Sequence, residues 1–322
     1  MKSRILIFGI FPPPLGGISN HILRAKDILE EDGNEVYVFD ISRERKKKKN
    51  IVSLRNPIGF IKGLIITCDH VHVHQSGFQW FFLPFIVTHR ILKHPITITY
   101  HSLRTNFKGF FIKYLFRFQN NLVDEIVAVN SNIKSIIIQY NSKSKVQVIP
   151  AFIPPKFKEK DFKILPIWIL KFFDNHNPII TANAYKLQFY NGFDLYGLDL
   201  LIELCYRLKA LYPDIGFVVL LSTIGNHDYY KKLLNMLAEK EIEKNFIIVN
   251  EKIQFYPFLM KSDIFIRPTN TDGDSISIRE SLFFNIPTIS SDVVKRPEST
   301  IIFQNRNIND LLNKTLSILK NM

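Results

Sequence analysis

The sequence predicts an α/β protein: two doubly wound parallel-sheet domains of similar size, facing a cleft. Two observations lead there. Short β-branched runs alternate with longer segments at helical spacing along most of the 322 residues, and repetition of that kind gives a parallel sheet with helices on both faces. The alternation breaks at the proline-rich "PAFIPPK" of 150–156 and then resumes, which divides the chain into 1–152 and 153–322. Ligands of such sheets sit beyond the carboxyl ends of the strands.

Taken in order, "RILIFGI" reads as the first strand, and "GISNHILRAKDILEEDG" as a helix that stops at Gly33. "EVYVFDI", "HVHVHQ", "ITITYH", "EIVAVN" and "KVQVIP" follow as strands, with room for a helix between each pair. After the linker, 157–176 is aromatic and basic without a legible period. Then come strand "PIITANA", a helix over 197–211, strand "IGFVVLLS", a helix over 228–240 and strand "FIIVN". A short helix near 254–261, strand "DIFIRP", a polar loop and helix, strand "PTISS" and a helix from about 307 complete the chain.

Composition narrows the class. Apolar residues make up 46% and charged residues 22%, as in a globular protein with ordinary cores. Only two cysteines occur, Cys68 and Cys205, so no disulfide framework is expected and a reducing compartment is. The start "MKSRILIFGIFPPPLGG" has a basic end and a short apolar run, but prolines follow where a signal would have its cleavage site, so it reads as a strand. No uncharged apolar run reaches the roughly 18 residues of a membrane-spanning helix.

The formal charge of +13 is uneven: residues 1–155 hold 21 Lys+Arg against 10 Asp+Glu, residues 156–322 hold 21 against 19. The first half therefore suits an anionic ligand or surface, although "RERKKKK" at 43–49 also reads as a plain solvated loop. "NFKGFFIKYLFRFQ" at 106–119 is a basic, aromatic helix in which Lys113 and Arg117 share a face. It either packs on the sheet or rests on anionic lipid. No interleaved basic–aromatic motif points to nucleic acid. No nucleophile elbow or Walker loop is present.

Two stretches can carry chemistry. In "PPPLGGISNH" a rigid turn leads to Gly16 and Gly17 at a helix start, where backbone N–H groups can hold an anion. It serves equally as a tight strand-to-helix turn. In "PTNTDGDSISIRESLFFNIPTISSD", 268–292, Asp272 and Glu280 flank Gly273, Asp274, Ser275 and Ile276 at a helix mouth. Carboxylates there suit a polyhydroxyl group and N–H dipoles suit phosphate. The same residues also read as a capping box, Ser277 to Glu280, or as a plain N-cap at Asp274 or Ser275. His70, His72 and His74 share one strand face without a Cys or carboxylate at ligand spacing.

The second stretch resembles the signature of retaining glycosyltransferases of family 4, whose two Rossmann-like domains form the GT-B fold. The likeness continues in "PPPLGGISNH", "VDEIVAVNS", "VQVIPAFIP" and "YGLDLLIEL" and spans nearly the whole chain. It implies that Asp272 contacts the donor sugar, that Glu280 binds the nucleotide ribose, and that Gly273 to Ile276 line the sugar and diphosphate. It implies further that Gly16 and Gly17 form a diphosphate wall and that His101 is the sugar-side histidine. Lys186 stands near the first of the family's two diphosphate cations. The second is replaced by Tyr196, before Gly197, with Arg267 as a substitute. Asn285 stands where the family has a helix-ending glycine, a place Asn tolerates. The resemblance implies a nucleotide diphosphate sugar as donor, a glycan or lipid-linked glycan as acceptor, no metal and no cofactor. It places the protein in the cytoplasm, at the inner face of the cell membrane, in bacterial surface-polysaccharide assembly. The missing second cation leaves the alternative of a non-catalytic partner subunit on the same fold.

Overall fold

A computed structural model of the chain describes residues 2–13, 15–44, 46, 48–103, 109–140, 144–156, 165–273 and 275–322. They form two compact units, Met1–Ile153 and Pro154–Met322.

The first unit is built on strands β1 (Arg4–Gly9), β2 (Glu35–Asp40), β3 (Ile51–Ser53), β4 (His70–Ser76), β5 (Ile96–Ser102), β6 (Glu125–Ala128) and β7 (Lys145–Val148). All neighbouring pairs are parallel, in the order β3-β2-β1-β4-β5-β6-β7. The order reverses between β1 and β4, the switch point at which such sheets open a crevice. Helices α1 (Gly17–Glu31), α2 (Pro57–Ile65), α3 (Leu83–Ile91), α4 (Phe110–Asn121) and α5 (Ser131–Gln139) connect the strands. Gly33, at φ 87°, closes the end of α1. Asn56 and Asn130 each accept a backbone N–H at the start of α2 and α5, a cap worth about 1 kcal/mol.

One face of this sheet is a continuous apolar core around Leu6, Phe8, Val71, Val73, Ile98 and Tyr100. The other carries Ile5, Ile7, Val36 and Val38 against Ile22 of α1. Register pairs Ile5 with His70 and Ile7 with His72, so the strand's histidines fall on the α1 face. A buried parallel strand ordinarily runs apolar on both faces, and β4 departs from that rule along one whole edge.

The second unit orders its parallel strands β12-β11-β8-β13-β14-β15. They are β8 (Ile179–Leu187), β11 (Gly216–Gly225), β12 (Phe246–Val249), β13 (Ile264–Arg267), β14 (Thr288–Ser291) and β15 (Ile301–Phe303), and a small antiparallel hairpin, β9 (Phe189–Tyr190) with β10 (Phe193–Asp194), follows β8. The helices are α6 (Ile167–Asn175), α7 (Leu198–Lys209), α8 (His227–Glu239), α9 (Tyr256–Leu259), α10 (Ile276–Phe283) and α11 (Ile308–Leu319). The switch point lies between β8 and β13, and the polar stretch leaves from the end of β13.

Three features were not legible in the pattern. β3 and β15 are three-residue edge strands, too short to show alternation. The β9–β10 hairpin is an insertion turned at Asn191 and Gly192, both with positive φ. α6 fills the aromatic stretch that had no clear period, and its Ile169 and Phe173 pack with Phe258 and Phe265. No helix among the described residues is long and apolar enough to cross a membrane.

Candidate active site

The sharpest constellation lies beyond β13. Arg267, the last residue of the strand, turns its guanidinium onto Asp272: Nε is 3.1 Å from Oδ2 and Nη2 is 3.3 Å from Oδ1. Arg296 reaches the same carboxylate from the segment after β14, with Nη1 2.9 Å from Oδ2. Thr269 Oγ1 donates to Oδ2 at 3.3 Å and the Gly273 N–H donates to Oδ1 at 3.0 Å. Both oxygens of Asp272 are thus held by the protein. The Arg296 side chain is 2% exposed and those of Arg267 and Asp272 about a tenth. Burial pushes the Asp272 carboxyl up, but the two guanidiniums outweigh it and hold it below the usual carboxylate range. Burial lowers Arg267 and Asp272 more than compensates, so that group stays charged.

Arg267 has two further anchors. Its Nη1 donates to the backbone and side-chain oxygens of Asn183 on β8, at 3.0 and 3.1 Å. Its guanidinium carbon lies 5.2 Å from the Tyr196 ring centroid, in cation–π range. Tyr196 therefore supports a cation where the family pattern supplies one. Beside it, Gly197 has φ 71°, and a Cβ there would meet the Pro268 carbonyl oxygen at 2.3 Å, so only glycine fits. Lys186 is exposed on β8, in register with Thr223. Among the described residues no ion pair joins it to the Asp272 group.

The helix mouth corrects the capping-box reading. The N-cap of α10 is Ser275, so Ser277 and Glu280 lie inside the helix and no Ser277–Glu280 box forms. Ser277 Oγ instead sits 3.0 Å from Ser275 Oγ. Glu280 is 4% exposed, a burial that a capping carboxylate does not require. Asn285 ends the helix at φ 57°, in the left-handed region. Gly273 is exposed with nothing within 4 Å of a Cβ. Asp274 lies outside the described residues.

In the first unit, Gly16 caps α1 in extended backbone at φ −162°. Its N–H donates to Ser19 Oγ at 2.8 Å, and an added Cβ would meet nothing nearer than that oxygen, at 3.9 Å. The protein's own packing does not demand this glycine. Gly17 begins the helix. His101, at the end of β5, has its Nε2 3.1 Å from His74 Nδ1, and the ring centroid of His21 on α1 is 5.0 Å from that of His101. The partners of His74 are therefore His21 and His101, from other elements, besides the His72 ring below it. Burial pushes His101 and His72 down to about 3, and His21 and His74 below the ordinary range, so the rings are neutral.

Lys113 and Arg117 are exposed on α4. That helix is inverted in polarity. It buries Phe116 with Gln119 and Asn120, which hydrogen-bond the Tyr100 hydroxyl. It exposes Phe110 at 86%, Phe111 at 69% and Tyr114 at 57%. The "RERKKKK" segment behaves differently. Lys46 is buried, ion-paired with Asp40 and hydrogen-bonded to the Phe11 carbonyl, so it is not a surface cation. Lys48 is exposed, and Arg45 and Lys47 lie outside the described residues.

The chain matches Glycosyltransferase Family 4 over residues 15–157 and Glycosyl transferases group 1 over residues 183–321. The two matches together take in both Gly16–Gly17 and the Asp272 loop. It is a glycosyltransferase of that family. No curated protein is similar enough in sequence to match. Among solved structures, a glycosyltransferase from Rickettsia africae is 13% identical, with TM-score 0.69, over 99% of this chain and 88% of the other. HepE of Anabaena, solved in complex with UDP, is 14% identical, with TM-score 0.64, over 100% and 90%. A trehalose-6-phosphate protein of Escherichia coli bound to UDP-2-fluoro glucose is 14% identical, with TM-score 0.61, over 99% and 92%. At such identities the likeness speaks for the fold: this glycosyltransferase has the two-unit, parallel-sheet GT-B architecture.

Sequence reasoning had passed over Arg296, the most buried member of the ion group. It lies 24 residues from Asp272, with no periodic or motif relation to it. The only signal is a basic pair, Lys295-Arg296, soon after a strand end.

Proposed function

We propose that this glycosyltransferase moves a sugar from a nucleotide diphosphate sugar to a hydroxyl acceptor with retention at the anomeric carbon. The observation that carries the reading is the Asp272 group: two buried arginines on one carboxylate at the end of β13 leave a net positive site beside a helix mouth. Arg267, with exposed Lys186, supplies the charge that the departing diphosphate needs, and Asp272 holds the arginines in place. In this reading Asp272 acts on the donor through its arginines as much as by touching sugar, Glu280 takes the ribose, and Gly273, Ser275 and Ile276 line the diphosphate. Gly16 and Gly17 leave room for a phosphate, and neutral His101 bonds a sugar hydroxyl. The leaving diphosphate itself takes the acceptor proton, so the chemistry needs positioning and charge, not a metal or a cofactor. That relatives of this fold have been solved with UDP, UDP-glucose or UDP-2-fluoro glucose supports a nucleotide sugar donor.

The acceptor we infer is a lipid-linked glycan, met at the inner face of the cell membrane in surface-polysaccharide assembly. Its support is α4, whose exposed face combines Phe110, Phe111 and Tyr114 with Lys113 and Arg117. Incubation of the protein with a panel of nucleotide sugars, with release of nucleotide diphosphate as readout, tests the reaction. Release that Arg267→Ala abolishes supports it. A protein that binds nucleotide sugars but never releases diphosphate, with or without lipid-linked acceptor, would instead be a partner subunit.

A further inference from the structure

We propose that His21, His74 and His101 form a binding site for a divalent transition metal of the zinc class. The three rings come from α1, β4 and β5 of one unit, and one nitrogen of each lies within 4.8 Å of the others. Two of these, His74 Nδ1 and His101 Nε2, are already 3.1 Å apart. Four-coordinate zinc with metal–nitrogen bonds of about 2.0–2.1 Å sets its ligand nitrogens roughly 3.3 Å apart. A modest inward swing of His21 completes the set.

The surroundings suit a metal in three respects. His21 Nδ1 lies 3.1 Å from the Ala151 carbonyl oxygen. That contact holds the proton on Nδ1 and leaves the Nε2 lone pair free, the outer-shell arrangement that ordinarily orients a metal-binding histidine. Burial keeps the imidazoles neutral, so binding releases no proton from a charged ring. Three nitrogen ligands without a carboxylate select zinc, copper or nickel over magnesium or calcium. Against them stands Arg24, one turn along α1, whose charge lowers His21 and would repel a cation. It is drawn to the Ile153 carbonyl, at 2.8 Å. An exchangeable ion is expected, with one coordination position left open. The reaction proposed above does not require it, and binding can be tested without that reading. If His101 does serve the donor sugar, bound zinc withdraws it and slows transfer.

Among the described residues the other cluster of possible ligands, Cys68, His89 and His94, does not compete well. Burial pushes the Cys68 thiol up to about 12, and His89 has Nε2 on the Gly63 carbonyl and Nδ1 on His94.

Cobalt titration of the chelator-treated, full-length protein tests the proposal, with cobalt as a spectroscopic stand-in. One equivalent should produce the intense visible absorption of four- or five-coordinate cobalt, and zinc should abolish it. His21→Ala and, separately, His101→Gln should weaken binding by at least about 10- to 100-fold with unchanged far-ultraviolet circular dichroism. Cys68→Ser should leave it intact. Zinc should raise the melting temperature of the wild type and not of His21→Ala. No saturable cobalt band in the wild type, a band that survives in His21→Ala, or one lost in Cys68→Ser overturns the assignment.

Discussion

Asp272 occupies a place where a carboxylate facing substrate would be expected, and its two oxygens accept from Arg267, Arg296, Thr269 and Gly273. Its removal leaves two buried guanidiniums without their anion. Asp272→Asn should therefore cost about 3–5 kcal/mol of stability, read by urea unfolding, besides reducing turnover. If only turnover fell, the carboxylate would act on the sugar and not as an anchor. Glu280 permits the opposite separation. It is buried inside α10, behind the Ser275 N-cap, and Glu280→Gln should weaken nucleotide binding about 10- to 150-fold, the loss of a charged hydrogen bond of roughly 1.5–3 kcal/mol. Unchanged affinity by calorimetry on the folded variant would remove Glu280 from the ribose. Lys186→Ala, at an exposed position outside the ion group, should lower turnover at saturating donor with little change in stability. Normal turnover would leave Arg267 alone as the diphosphate cation. The carboxylates, glycines and Lys186 could be picked out from residue type and local spacing. Arg296 could not, because its pairing with Asp272 depends on how two separate loops come off neighbouring strands.

At the scale of elements, α4 departs furthest from ordinary helix logic. Its hydrophobic residues recur at helical spacing, which usually marks a core-facing stripe, yet Phe110, Phe111 and Tyr114 face solvent while Gln119 and Asn120 go inward to Tyr100. The pattern alone identifies a helix and not which face is buried. That choice is made by the buried hydroxyl of Tyr100, which needs polar partners. The exposed face should bind anionic vesicles. Basic residues near such a surface contribute about 1 kcal/mol each, and aromatic side chains add apolar insertion. Sedimentation with anionic vesicles should fall when Lys113 and Arg117 become Gln, and fall further with Phe110→Ser and Phe111→Ser, while nucleotide affinity persists. Lys46→Gln should instead destabilise the first unit, since that lysine is a buried partner of Asp40. Equal sedimentation of every variant would remove α4 from the membrane.

At the scale of the whole molecule, the two units share a sheet architecture and differ in what they bury. The first buries a row of neutral histidines and the second an arginine–aspartate group. Their acid responses should differ. For His72 and His101 the folded-state pKa is about 3, against roughly 6.5 in an unfolded chain. Between those values the unfolded state binds more protons, so the stabilisation is complete above about pH 6.5 and is lost as pH falls, by up to about 1.4 kcal/mol per pH unit for each ring. Corrected for the slower intrinsic hydrogen exchange at lower pH, protection of β1 and β4 should fall between pH 7 and 5 while that of β8 and β11 is kept. Asp272, held low, loses its contribution only as pH falls below the carboxylate range. Uniform exchange across both units would show that the histidines ionise in place.

Alternation of β-branched runs with helical segments and one proline-rich break were enough to determine two parallel-sheet units, and the glycosyltransferase reading came from the resemblance of the Asp272–Glu280 stretch to a family signature, not from its spacing alone. These are local or periodic properties, set by backbone preference and by which side chains can face a core, and the chain displays them directly. The partners of Asp272, the burial of Lys46, the outward aromatic face of α4 and the meeting of His21, His74 and His101 were decided by packing. Each joins residues from separate elements, and strand order, register and the desolvation of charge, none of which has a period in the sequence, choose among the pairings that composition allows.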